Sequence, residues 1–227
     1  EVPLCWSLAH PGPLAATLHD AALMLSAIAG PDPNDPLTMG QPPLNITRLP
    51  SSVKGLRLGW CDEWADLAQH DVRRACWTAA EALQAQGATI CPVQIDRLDD
   101  VRLVQYVTIG VEMSAAQYEH RRTHKRQYGA DSRVLLELAS QVSGVDYVRA
   151  QRLRSQIAQR FARVLEDVDV ILTPSTACTA PVLRPDAEKS GESDDQQLEQ
   201  LTAFSFPANL TGLPALTVPV GYDSDDL

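Results

Sequence analysis

Apolar residues recur every three or four positions over residues 17–30: Leu18, Ala21, Ala22, Leu25, Ile28 and Ala29. That is the spacing of one helix face. Thr17 with Asp20 three residues on is close to a capping box, with Asp in place of Glu, and Gly30-Pro31 supplies a stop. From Pro31 to Pro50 the periodicity vanishes among prolines and Asp-Pro pairs, so a surface loop is expected. Leu56-Arg57-Leu58-Gly59-Trp60 then reads as a short strand. A helix expected to be capped by Asp71 follows, with an inner face of Val72, Ala75, Cys76, Ala79 and Leu83 and an end at Gly87. Ala88–Ile95 reads as a second strand. Strand, helix, strand in this order predicts a parallel βαβ unit. Pro92 removes one ladder donor, which makes the second strand short or an edge strand.

The pattern is helical with breaks from Val101 to Gly144, then continuous from Val145 to Val168. The long stripe Tyr147, Ala150, Arg154, Ile157, Phe161, Val164, Val168 advances in steps of three or four, so these residues share a face. Arg154 lies in the middle of it. A guanidinium there must reach solvent, pair with a carboxylate on a neighbouring element, or bind a ligand. Asp169–Leu172 reads as a buried strand running into Thr173-Pro174-Ser175-Thr176. Loops at the carboxyl ends of strands are where open α/β sheets bind ligands, although hydroxyls in such a loop also serve ordinary turns. In the final stretch, Phe204–Gly221, prolines and glycines fix the backbone around Asn209 and Thr211. It is expected to end in a strand at Ala215–Val220. No internal repeat is found. The fold class is therefore α/β, a mixed sheet flanked by helices, with residues 1–227 forming part of a single domain.

Charge narrows the function. The net charge is −10, which argues against binding a phosphate backbone. Between Asp186 and Glu199 there are six acids and one base, Lys189, and this segment is expected to be a mobile acidic loop. No apolar run approaches the ~20 residues that cross a bilayer. Five single cysteines (Cys5, Cys61, Cys76, Cys91, Cys178) without CxxC spacing point to a reducing, cytoplasmic setting and no metal. Cys76 lies on a core-facing stripe. Cys178, in the loop after a strand, is the better placed thiol for chemistry, but no histidine is near it in sequence. His120 and His124 share a helix face, yet Arg121, Arg122, Lys125 and Arg126 surround them and would repel a cation. For a chain placed inside the cell, Asn209-Leu210-Thr211 and Asn45-Ile46-Thr47 are not read as glycosylation sites. No GxGxxG, Walker, HExxH or GxSxG motif occurs. The missing glycine-rich first turn argues against a small Rossmann-like binding domain at 56–95.

Three segments carry a family resemblance. Ser7-Leu-Ala-His-Pro-Gly12-Pro13-Leu-Ala-Ala-Thr17-Leu-His-Asp20 resembles the segment following the glycine/serine signature of amidase-signature enzymes. Asp169-Val-Ile-Leu-Thr173-Pro174 resembles their strand leading to the substrate pocket. Phe206-Pro-Ala-Asn209-Leu-Thr211-Gly212-Leu-Pro214-Ala is similar to their late core motif. Order and spacing agree over essentially the whole chain. The resemblance implies hydrolysis of a carboxylic amide to acid and ammonia or amine, without cofactor or metal. In the family a lysine and two serines do the chemistry, with backbone N–H groups holding the oxyanion.

Those motifs are absent from this sequence and are expected upstream, so no catalytic residue is assigned and the chain alone is expected to be inactive. Both ends look cut, and the family's closing strand and helix are expected beyond Leu227. The chain departs from the family at Ala9, where an acid is usual. It departs again at Thr202, where the glutamine-using branch that serves transfer-RNA amidation has an aspartate. Arg154 matches a substrate-contacting arginine of that branch, but without the aspartate a general amidase is favoured. Substrate-binding roles are expected for Arg154, Thr173, Ser175, Asn209 and Thr211, toward a small-molecule amide. Nucleic-acid and membrane partners are not expected. The expected protein partner is the missing remainder of the fold or a second copy. Alone, the chain is expected to expose edges and core and to aggregate. The rival reading is a non-catalytic remnant that binds a ligand or partner through the same surface.

Overall fold

The structure is a computed structural model that describes residues 4–44, 46, 49–183 and 194–223. It divides into two compact units, residues 10–53 and the remainder. The small unit holds α1 (Leu18–Ile28), which begins where the sequence places it: the Thr17 hydroxyl accepts from the Asp20 amide. None of its residues is buried, and Leu18, Leu23, Met24 and Ile28 are exposed. Its apolar face is therefore not core among the described residues. The following loop is irregular, as expected, apart from an isolated Asp32–Asp35 bridge. Asn45 and Thr47 lie outside the described residues.

The large unit opens with Cys5 and Leu8 buried in its core. Then come β1 (Arg57–Trp60), α2 (Asp62–Ala65), α3 (His70–Ala85) and β2 (Thr89–Pro92). Next are α4 (Asp99–Ala116), α5 (Tyr118–His124), a single 3₁₀ turn (Lys125–Gln127), α6 (Ala130–Ala139), α7 (Gly144–Asp167) and β3 (Val170–Leu172). The last elements are α8 (Asp195–Thr202) and α9 (Phe206–Thr211).

The described strands form one sheet in the order β2-β1-β3, and both pairings are parallel. The predicted βαβ unit is β1-α3-β2, with Pro92 at the end of a short edge strand opposite Trp60. Gly59 sits in the central strand at a position where a side chain would be crowded. A Cβ there would lie 3.0 Å from Val168 Cγ2 and 3.3 Å from Val93 Cγ1. One core packs Trp64, Val101, Val104, Ala150, Ile157, Phe161, Phe204 and Leu210, while Trp60, Ala65 and Cys76 form a smaller cluster. The long helix is α7, started by Ser143, whose hydroxyl accepts from the Asp146 amide.

Four expectations are corrected. Helix α3 starts at His70 with Gln69 as its cap, so Asp71 lies in the first turn, where its charge suits the helix dipole. β3 is a strand but not a buried one: Val170 is 41% exposed at the sheet's other edge. Residues 186–193 of the acidic segment lie outside the described residues. From Asp194 onward the segment is helical, because the Asp194 carboxylate caps α8 by accepting from the Gln196 and Gln197 amides. Finally, 215–220 is not a strand among the described residues. Its alternating Leu216, Val218 and Val220 are exposed, and alternation without a neighbouring strand yields no ladder.

Candidate functional site

Two charged side chains on apolar helix faces meet in the core. Glu112 falls on the α4 face shared by Val101, Val104 and Thr108, and is only 6% exposed. Its Oε2 accepts from Cys5 Sγ at 3.1 Å and from the Ser7 amide at 3.0 Å. Its Oε1 accepts from Tyr147 Oη at 3.0 Å and from Ser7 Oγ in a short hydrogen bond. Burial alone would raise the Glu112 pKa. The hydrogen bonds from Ser7, Cys5 and Tyr147 outweigh it and hold the carboxyl below its ordinary value. The donors respond in the opposite sense. Burial first and the neighbouring carboxylate second push Cys5 and Tyr147 each up to about 12.

Arg154 approaches the same point from α7. Its Nη1 donates to Ser7 Oγ at 2.8 Å, its Nη2 to the Ser7 carbonyl at 2.7 Å and its Nε to the Leu210 carbonyl at 2.7 Å. The partners are thus a hydroxyl and two carbonyls rather than a carboxylate directly. The counter-charge, Glu112, is reached through the Ser7 hydroxyl, which donates to Glu112 while accepting from Arg154. One planar guanidinium ties residues 5–9, α7 and α9 together, a task suited to its rigid fork of donors.

The remaining expected site residues fall in two places. Thr173 and Ser175 lie just past the carboxyl end of β3. The Thr173 hydroxyl oxygen is buried without a hydrogen-bond partner among the described residues, whereas Ser175 is exposed and its Oγ donates to Thr217 Oγ1 at 3.3 Å. Asn209 is half-buried on α9. The Thr211 hydroxyl closes that helix by donating to the Pro207 carbonyl at 2.7 Å and accepting from the Leu213 amide at 3.3 Å. Gly212 completes the cap with φ of 74°, a left-handed conformation that favours glycine. The structure therefore joins Arg154 to α9 through Leu210, and Thr173 and Ser175 belong to a separate loop.

Sequence reasoning missed Glu112, Ser7, Tyr147 and Cys5 as one cluster. The legible signal was Glu112 at helical spacing behind Val101, Val104 and Thr108, the same anomaly that marked Arg154. Two other candidates change character. Cys178 is buried, and burial raises its thiol pKa, away from the nucleophilic thiolate. His120 and His124 stack with ring centroids 4.4 Å apart, and His120 Nδ1 lies 2.6 Å from Tyr128 Oη. No cluster of three metal-ligating side chains occurs among the described residues, and no described helix is long and apolar enough to cross a membrane.

A family model described as Amidase matches residues 1–227. The chain is 35% identical over 231 residues to the fatty acid amide hydrolase of Oryza sativa subsp. indica, covering 98% of this chain and 38% of that protein. It is 35% identical over 234 residues to the amidase of Pseudomonas putida, covering 99% of this chain and 49% of that protein. Among solved structures it is similar to a glutamyl-tRNA(Gln) amidotransferase subunit of Thermotoga maritima, with a TM-score of 0.76 at 25% identity over 98% of this chain and 48% of that one. The chain spans about half, or less, of the length of these relatives.

Proposed function

The chain belongs to the amidase family, and from that premise we propose that the polypeptide of which these 227 residues form a part hydrolyses a carboxylic amide to the acid and ammonia or an amine. The reacting lysine and serines lie outside these residues, upstream, and this chain supplies the substrate side. The observation that carries the reading is the 35% identity, over nearly the whole chain, to both a fatty acid amide hydrolase and an amidase. Thr173 and Ser175 then offer hydroxyls to the substrate from the loop after β3. Arg154, Asn209 and Thr211 are proposed to act on the substrate side from α7 and α9, apart from that loop. The buried Thr173 oxygen without a partner supports the placement of Thr173, since such an atom costs free energy until something bonds to it. Five free cysteines support a reducing, cytoplasmic setting.

The test is ammonia or amine release from a panel of simple amides by the polypeptide as it occurs in its source. Turnover that Thr173→Val reduces supports the reading. A pure, folded polypeptide that releases nothing from any amide overturns it and leaves the scaffold as a ligand- or partner-binding remnant.

A further inference from the structure

The positive field that repels a metal cation around His120 and His124 attracts an anion. Residues 118–137 carry five Lys and Arg side chains against three Asp and Glu, in a chain whose net charge is −10. Cations in a last turn suit the carbonyl end of a helix, which accounts for Arg121, Arg122 and His124 at the end of α5. Lys125 and Arg126 lie beyond it, in the 3₁₀ turn, and add two charges there.

The chain bends at His124 (φ −122°, ψ 20°) as α5 gives way to that turn. At the bend lies a hollow of about 290 Å³ lined by six consecutive residues, Arg122–Gln127. It is smaller than the roughly 300–1,000 Å³ of drug-sized ligand sites. Its wall carries two guanidinium groups, an ammonium, an imidazole, a hydroxyl and a carboxamide, and none of its lining residues is an acid. The imidazole is held in place: His120 stacks on His124 at 4.4 Å, and His124 Nδ1 lies 2.7 Å from Thr123 Oγ1.

The acids of the flanking segments do not neutralise the hollow. Arg122 Nη1 pairs with Glu119 at 3.1 Å, and Glu137 is shared between Arg121 and Lys125, the latter at 3.6 Å. The third acid, Asp131, accepts from the Ser132 amide. The Arg122–Glu119 and Lys125–Glu137 pairs are exposed, and exposed pairs hold weakly, so an incoming anion exchanges with them readily. Arg126 is exposed and has no ion-pair or hydrogen-bond partner among the described residues. Guanidinium groups offer paired N–H donors that match a phosphate oxyanion, and an ammonium adds a point charge. A dianion gains more from this set than a monoanion does.

We propose that this hollow binds a phosphate dianion, either free or as the terminal group of a small ester. Arg126 is its principal contact, with Arg122 and Lys125 as the flanking charges. The site does not depend on the amidase reading.

The test is calorimetric titration of the natural polypeptide, at constant ionic strength, with inorganic phosphate, glycerol 3-phosphate and acetate. One saturable phosphate site with a Kd of about 1 mM or tighter is expected, with acetate weaker by about tenfold or more. Arg126→Gln should weaken phosphate binding about three- to tenfold, and the double variant Arg122→Gln/Arg126→Gln about tenfold or more. Both positions are exposed, so the thermal midpoint should stay that of the parent. Arg163→Gln removes the same charge from an exposed position of α7 and should leave the Kd unchanged. Tighter binding of glycerol 3-phosphate identifies the ester as the source of the phosphate, and tighter binding of inorganic phosphate identifies the free anion; both uphold the site. A titration that does not saturate by about 20 mM overturns it. Acetate bound as tightly as phosphate also overturns it, as does Arg163→Gln weakening binding as much as Arg126→Gln. Capture by phosphatidylglycerol vesicles that the double variant abolishes, without a saturable phosphate site, overturns the small-ligand assignment in favour of a membrane surface.

Discussion

Replacing Glu112 by Leu removes the acceptor on which four donors converge: the Cys5 thiol, the Ser7 amide, the Ser7 hydroxyl and the Tyr147 phenol. A buried donor left without a partner costs about 1–3 kcal/mol. The thiol is a weak donor, and Ser7 and Tyr147 are only partly buried, so the sum falls toward the lower end, about 3–5 kcal/mol. Glu112→Gln keeps one carbonyl oxygen but turns an amide N–H₂ toward donors, and about half of that loss is expected. The assay is the denaturant midpoint of the natural polypeptide, followed by tryptophan fluorescence. Trp64 lies in the same core cluster as Cys5. Order matters as much as size: Leu should be worse than Gln, and Gln worse than the parent. If both variants unfold within about 0.5 kcal/mol of the parent, a range typical of ordinary surface changes, Glu112 is not the anchor of residues 5–9.

The same cluster predicts two pH limits. Glu112 has a folded pKa below its unfolded value, so its contribution is complete above about pH 4.5 and disappears as pH falls through the folded value. Glu112→Gln should flatten the acid limb of a stability-versus-pH profile. Cys5 and Tyr147 are raised from 9.0 and 10.0 to about 12, so their neutral forms favour the fold below pH 9, and that stability is lost as pH rises from there toward 12. Tyr147→Phe should shift the alkaline limb. Arg154→Lys should destabilise by about 2–4 kcal/mol in the same denaturant assay, because one ammonium cannot reach the Ser7 carbonyl, the Ser7 hydroxyl and the Leu210 carbonyl together. Gly59→Ala should cost about 1–3 kcal/mol through its contacts with Val168 and Val93, and Val168→Ala should restore part of that loss in the double variant.

The readily legible parts were those whose cause is local. Thr17 caps α1 through the residue three positions on, as the pattern places it, and α7 begins at Gly144, one residue before the Val145 that the pattern gives, behind a Ser143 cap that the sequence reading did not single out. β1, α3 and β2 lie within 36 residues, in the strand, helix, strand order read from the sequence. The misses have non-local causes or competing local ones. Ala215–Val220 has the alternation of a strand, but a ladder needs a second chain segment, and none pairs with it among the described residues. Leu198 and Leu201 carry helical spacing in α8, which the acidic charge around them obscured until Asp194 was seen to cap the helix. Arg154 stood out as a charge on an apolar stripe. Its partners, 147 residues away at Ser7 and 56 away at Leu210, could not be read from that stripe.

That separation explains why two charges are tolerated in this core. A buried ion pair is weak support for stability in itself, because desolvation offsets much of the attraction. Here the charges do not touch: the Ser7 hydroxyl stands between them, accepting from Arg154 and donating to Glu112. Only a group that both donates and accepts can take that place, so the arrangement recognises one residue on the segment 5–9. It also recognises one register of α7. Sliding that helix by a turn would replace Arg154 with Ala150, Gln151, Ile157 or Ala158. None of these can offer three donors to Ser7 and Leu210. Leu, Ile and Val contacts along α4 and α7 would tolerate such a slip far better, since apolar packing is non-directional. The polar junction therefore contributes register more than net stability. It fixes how the segment 5–9 meets α4, α7 and α9, the helices between which the proposed substrate side is built.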